Sequence, residues 1–152
     1  MTARILVADD SINWSKPFCD FLNQRGYHAT SVAKGNELFT SVLNAPHDYD
    51  ILIMDNSMPE ADGEQEIPYC GVRILGMLVA HFRDHTVPPA LLDRVIVRSI
   101  YSKQDINSLR NEADDLTVLG CSQVALWFDR SIPLDELMRA VNSLCTPPLR
   151  RE

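Results

Sequence analysis

Cysteine is sparse and poorly spaced for metal or redox chemistry. Cys19, Cys70, Cys121 and Cys145 are widely scattered and form no C-x-x-C pair. Thiols placed this way are expected to be buried or half-buried and reduced, as in a cytoplasm. Lysine is scarcer still, with Lys16, Lys34 and Lys103 alone. Basic residues as a whole, 14 Lys+Arg against 21 Asp+Glu, leave a formal charge of −7. That balance argues against a general nucleic-acid binder, because affinity for phosphate backbones comes from clustered Lys and Arg. The one basic cluster, Arg150-Arg151, ends the sequence beside Glu152 and reads as a solvated tail. No apolar run approaches the ~20 residues that a bilayer span needs. The opening Met1-Thr2-Ala3-Arg4 leads through a short apolar stretch into two aspartates, which is not the pattern of a signal peptide. G-x-G-x-x-G and G-x-x-x-x-G-K-[ST] do not occur, so the dinucleotide and P-loop readings fall. Internal repeats and low-complexity segments are absent too.

What is present is a chain of 152 residues, 45% hydrophobic and 23% charged, which suits one globular domain over 1–152 with a single sizeable core. Strand and helix signals alternate along it. Ile5-Leu6-Val7-Ala8 is a continuous apolar run, the pattern of a strand buried on both faces. Asp9-Asp10-Ser11 ends it and offers cap residues to a helix with Trp14, Phe18, Phe21 and Leu22 at i, i+4, i+7, i+8. Gly26 closes that helix. A weaker strand over 27–33 and a short helix carrying Leu38, Phe39, Val42 and Leu43 follow.

Ile51-Leu52-Ile53-Met54 is the strongest strand, and it stops at Asp55. Residues 56–71 form a long irregular segment rich in Pro, Gly and acids. Beyond it Ile74, Leu75, Leu78, Val79 and Phe82 mark one face of a helix. Pro88-Pro89 precedes a fourth strand, Val95-Ile96-Val97. The next helix places Ile106, Leu109, Ala113 and Leu116 on one side. A fifth strand spans 124–128. The last helix starts near Pro133, has Asp135 and Glu136 in its first turn, and buries Leu137, Met138, Val141 and Leu144. Five such units predict an α/β fold, doubly wound, with a parallel sheet covered by helices on both faces.

Open parallel sheets bind ligands outside the carboxyl ends of their strands. The residues there are Asp9 and Asp10 after the first strand, Asp55 after the third, Ser99 after the fourth, and Asp129 and Arg130 after the fifth. Three close carboxylates repel one another unless a proton or a metal intervenes. An all-oxygen set suits a hard cation, and Mg²⁺ takes one or two carboxylates while keeping several waters. The same acids exclude a flavin-phosphate loop after the first strand, where backbone N–H groups would have to receive a bare phosphate.

The pieces Ile5 to Ser11, Ile51 to Pro59 with Asp62-Gly63, Val95 to Ser99, and Trp127 to Arg130 together resemble a response-regulator receiver domain of the CheY-like kind, the phosphoacceptor of two-component signalling. The resemblance spans about residues 4–144. It implies a flavodoxin-like sheet of strand order 2-1-3-4-5. It also implies that Asp55 accepts a phosphoryl group from a histidine kinase or phosphotransfer protein. Asp10, helped by Asp9, would hold Mg²⁺ together with the Asp55 carboxylate and the Ser57 carbonyl. Ser99 would hydrogen-bond a phosphoryl oxygen, and Trp127 would stand where the family carries its switch aromatic. Such a domain is cytoplasmic. It acts through a downstream protein or by self-association on the face formed by the fourth helix, fifth strand and last helix.

Four departures qualify the resemblance. Arg130-Ser131 stands where the family has lysine and proline, and Arg is not a conservative replacement for Lys. Phosphorylation could survive, be slowed, or give way to a constitutive Arg130–Asp55 ion pair; Arg130 facing solvent is the plainer alternative. Ile100 follows Ser99 where a small residue is usual, and would narrow access. Trp127 is larger than the usual Tyr or Phe, and a buried indole needs a partner for its N–H; a core role is as good a reading as a switching one. Residues 64–71 look like an insertion before the third helix that adds Glu64, Glu66 and a Pro68-Tyr69 pair near the active edge, and loops of that length are usually functional or mobile. Three functions compete: a phosphorylated receiver, a receiver-fold interaction module that works without phosphorylation, and a phosphatase of the haloacid-dehalogenase type. The last wants a second acid two residues after its nucleophile, and that position is Ser57. The expectation is therefore a signalling domain and not an enzyme, with no output domain within 1–152.

Overall fold

The apolar runs of the sequence form the middle of one five-stranded parallel sheet, and their two-residue alternation divides the core. The computed structural model describes residues 2–108 and 115–145. Strands β1 (Arg4–Ala8), β2 (His28–Val32) and β3 (Ile51–Met54) are followed by two short strands, β4 (Met58–Pro59) and β5 (Glu66–Ile67), and then by β6 (Val95–Ser99) and β7 (Leu126–Asp129). The main sheet runs β2-β1-β3-β6-β7, and every neighbouring pair is parallel. Counting main-sheet strands alone, this is the 2-1-3-4-5 order. β4 and β5 form a separate antiparallel hairpin.

Helices α1 (Ile12–Gln24), α2 (Gly35–Asn44), α3 (Cys70–Phe82), α4 (Lys103–Ser108), α5 (Asp115–Gln123) and α6 (Leu134–Cys145) connect the strands. Ile5, Val7, Ile51, Ile53 and Ile96 face α1 and α6, where Phe18, Leu22, Leu137 and Val141 meet them. Leu6, Leu52, Met54, Val95 and Val97 face the other way, against α2, α3 and α5. Each fully buried Leu or Ile in these layers contributes about 1.5–3 kcal/mol of transfer free energy, so both faces of the central strands are held. A strand that must be apolar on both sides reads as an unbroken run, as β1 and β3 do.

Several elements differ from the sequence reading. Ser11 occupies the N-cap position of α1 without a side-chain cap bond. Asp9 instead accepts the Ser11 N–H at 2.8 Å, closing a short turn at the strand end. The fourth main-sheet strand extends to Ser99, so Ser99 ends the strand and does not follow it. One helix was expected between β6 and β7, and two segments flank residues outside the description. Leu109, Ala113 and the Arg150-Arg151 tail lie among those undescribed residues. Ile106 is buried and Leu116 half-buried, as their spacing requires.

α5 lies unusually close to α3. A Cβ on Gly76 would sit 1.8 Å from the Leu116 carbonyl oxygen, and one on Gly120 would sit 1.7 Å from that of Val72. The two backbones therefore touch through paired glycines. All four cysteines are free; three are buried and Cys145 is half-buried. Burial pushes the Cys70 thiol up to about 12, which makes it a poor nucleophile. Among the described residues no helix is long and apolar enough to cross a membrane.

Candidate functional site

Strand register brings the acids together. Ala8 pairs with Met54 across β1 and β3, so the next residues, Asp9 and Asp55, leave the sheet side by side. The Asp55 N–H donates to the Ala8 carbonyl at 2.8 Å and fixes that exit. With Asp10, the carboxylates of Asp9 and Asp55 offer oxygens all within 4.8 Å of one another. Asp9 and Asp55 are almost fully buried and Asp10 is half-buried.

The alternation that sorts the core also selects the cations. Ile96 faces α1 and α6, so Arg98, two residues on, points the same way as Asp9 and Asp55. Its guanidinium donates to Asp9 Oδ2 at 3.1 Å and lies 3.5 Å from the centre of the Trp14 ring. A buried guanidinium needs both a counter-charge and a face to stack on, and Asp9 and Trp14 supply them. Sequence reading missed Arg98 because it considered only residues beyond strand ends. The signal was present: a charged residue inside an apolar strand, in phase with two buried acids. Arg130, just past β7, approaches Asp55 Oδ2 at 3.5 Å and remains about one-third exposed.

Asp55 is held but not saturated. The Ser57 N–H donates to Oδ1 at 3.1 Å. Oδ2 is buried and accepts no hydrogen bond, and its neighbour Arg130 is at ion-pair distance only. Burial first, then the Asp9 charge, raises Asp55 to about 6 against the pull of Ser57, Arg130 and Arg98. Burial also raises Asp9, opposed by the Ser11 N–H and Arg98. Asp10 is raised to about 7 by burial and by a hydrogen bond with Glu66, with the Glu66, Asp9 and Asp55 charges adding to it. Glu66, which the sequence reading put near this edge without naming a partner, is lowered by the same bond to Asp10.

The remaining candidates lie further round the edge. The Ser99 hydroxyl accepts the Tyr101 N–H at 3.1 Å, and alternation sets its side chain with Val95 and Val97. Ile100 is 54% exposed. Trp127 packs against the α2–α3–α5 core, and its indole N–H donates to the Tyr101 carbonyl at 3.0 Å, the partner such a group needs. These residues line a cavity of about 370 Å³. Asp129 turns away from the acids and accepts from the Ser131 N–H and hydroxyl.

The residues fit a hard cation on two grounds. The donors are all oxygen, and one of the buried carboxylate oxygens, Asp55 Oδ2, lacks a hydrogen bond. Carboxylates this close need a cation or retained protons between them.

No family model and no curated protein matches the sequence. Solved structures do match. The response regulator TrrA of Thermotoga maritima, in complex with Mg²⁺ and BeF, superposes with a TM-score of 0.62 at 24% identity, covering 95% of this chain and 99% of that one. The non-phosphorylated HemR receiver domain of Leptospira biflexa gives 0.64 at 18% identity, covering 99% and 100%. The chemotaxis response regulator CheY4 of Vibrio cholerae gives 0.64 at 16%, covering 95% and 99%. Over nearly its whole described length, the chain has the CheY-like receiver fold.

Proposed function

We propose that the chain is a receiver of two-component phosphorelay signalling that accepts a phosphoryl group on Asp55. The observation that carries this reading is Asp55 Oδ2, a buried carboxylate oxygen without a hydrogen bond, set among two further aspartates and faced by a cation. That oxygen is the nucleophile. It forms the new O–P bond as the N–P bond of a phosphohistidine breaks, and the leaving imidazole nitrogen recovers its proton. The Ser57 N–H holds Oδ1 and so fixes which oxygen faces the donor. Arg130 offsets charge on the attacking oxygen and on the phosphoryl group that follows it. Arg98 neutralises Asp9, so that a second buried carboxylate costs less beside the first.

Asp10, Asp55 and the Ser57 carbonyl would hold Mg²⁺, with Asp9 lending charge. When bound, the ion supplies neutralisation of the negative charge shared by carboxylate and phosphoryl oxygens. The donor is a histidine kinase or phosphotransfer protein in the cytoplasm. The output is a changed affinity for a protein partner, or self-association, on the face made by α4, α5, β7 and α6, where the single fourth helix was expected as α4 and α5. Asp55 acts as a phosphoacceptor and turns over no separate substrate.

A second reading, an interaction module that works without phosphorylation, is favoured by one observation. Arg130 already pairs with Asp55, and a standing ion pair could replace the phosphoryl signal. Incubation with Mg²⁺ and acetyl phosphate, followed by intact mass, separates the two. A phosphoryl mass gain that Asp55→Ala abolishes is the expected result. No gain at any time point favours the second reading, and steady hydrolysis of phosphomonoesters would point to a phosphatase.

A further inference from the structure

Of the 64–71 segment expected as an insertion, Glu66–Ile67 form the second strand of a hairpin that begins at Met58, and Cys70-Gly71 already belong to α3. Met58 pairs with Ile67 and Pro59 with Glu66; Met58 is fully buried, and Ile67 packs on the same core. Gly63 takes a φ of +77 in the turn, a conformation that favours glycine. Both arms are fastened. Glu60 pairs with Arg73 of α3 at 3.0 Å, its carbonyl accepts the Asn36 N–H at 2.9 Å, and Lys34 reaches Asp62 at 2.6 Å. At the exit, the Gly71 N–H donates to the Asn56 carbonyl at 3.0 Å.

This frame carries one side chain to the acidic edge. Glu66 Oε2 accepts the Ser57 hydroxyl at 3.1 Å, and its carboxylate shares a hydrogen bond with Asp10. Two carboxyl groups in contact need a proton or a cation between them. The charge balance distinguishes those outcomes. Three aspartates facing Arg98 and Arg130 leave a single net negative charge, too little to match a dication. Glu66 brings the balance to two.

We propose that Glu66 is a fourth acid of the cation site, delivered by the β4–β5 hairpin, and that it raises the site's affinity for Mg²⁺ and Mn²⁺. The proposal rests on the cation reading given above and deepens it. Its independent support is Asp55 Oδ2, buried without a hydrogen bond among the three clustered aspartates. A hairpin fastened at both arms holds Glu66 in place at little entropic cost when the ion arrives. Arg98 ties up one oxygen of Asp9 and offsets its charge, so an added acid strengthens the site's pull on a dication.

Calorimetric titration of the full chain with MgCl₂ and with MnCl₂ tests the proposal, using wild type, Glu66→Gln and Glu64→Gln. Gln keeps an acceptor for Ser57 and removes only the charge. Glu66→Gln is expected to weaken both ions by about ten-fold or more, with an unchanged melting curve. The Glu64→Gln change, on the same hairpin two residues before Glu66, should shift affinity by less than about two-fold. Unchanged or tighter binding in Glu66→Gln overturns the proposal and makes Glu66 a plug. If wild type binds neither ion and gains no phosphoryl mass, the cation reading itself fails, and this proposal with it. Wild-type binding with no Glu66 effect overturns the proposal alone.

Discussion

Arg98 donates to Asp9 at 3.1 Å from a guanidinium stacked 3.5 Å from the centre of the Trp14 ring. Both partners of the ion pair are buried, at 8% and 2% side-chain exposure. The pair therefore joins the central strands to α1 at the acidic edge. Removing one partner leaves the other charge buried alone. Arg98→Met is expected to destabilise the fold by about 3–5 kcal/mol in urea unfolding. The double change Arg98→Met with Asp9→Asn should recover a large part of that loss. Simple additivity of the two single changes would show that the pair is not coupled.

The raised carboxyls set a pH dependence with a definite sign. Asp55 at about 6 and Asp10 at about 7 both lie above the ordinary carboxylate value of 3.8. The folded state therefore binds more protons than the unfolded chain between about pH 4 and pH 7. The stability these groups contribute is present below pH 4 and is lost as pH rises through 6 to 7. In EDTA, urea unfolding across that window should show a smaller decline for Asp55→Asn than for wild type. At about pH 7.5 Asp55→Asn should be the more stable protein, by about 1–3 kcal/mol. Equal slopes would contradict the burial-driven shift of Asp55.

Arg130 faces Asp55 Oδ2 at 3.5 Å from a partly exposed position. Arg130→Ala should slow acquisition of the phosphoryl mass from acetyl phosphate by about ten-fold or more, since charge-assisted contacts to phosphoryl oxygens are worth a few kcal/mol. Arg130→Lys should retain acceptance, because one ammonium can still offset the charge without the planar fork. Time-resolved intact mass measures both. If Arg130→Ala gains phosphate faster than wild type, the ion pair is a brake on the site.

Gly76 and Gly120 let α3 and α5 meet backbone to backbone. Gly120→Ala would push a methyl into the Val72 carbonyl, so the helices must separate. A loss of about 3 kcal/mol is expected from this overpacking, seen as a melting temperature lower by about 6–12 °C. Gly26→Ala also replaces a glycine but meets nothing within 4 Å. Its cost comes only from its positive φ and should be smaller, about 1 kcal/mol.

By itself the sequence determined the parallel sheet, its five strands and the acids that end β1 and β3. The reason is local: doubly buried strands must be apolar throughout, so the first polar residues mark where each strand leaves the core. Asp9, Asp10 and Asp55 announce themselves in this way, and the indole of Trp127 announces its need for a hydrogen-bond partner. Only the tertiary structure decided which charges meet. Arg98 sits inside a strand, and its role follows from being in phase with Asp9 and Asp55 across two registers that the sequence does not print. Glu66 reaches the acids because a hairpin folds back on Met58, a pairing between two-residue strands too short to leave a periodic signal. The sequence placed three acids at one edge, and long-range pairing brought the buried Arg98 to Asp9 and set Glu66 beside Asp10 and Ser57.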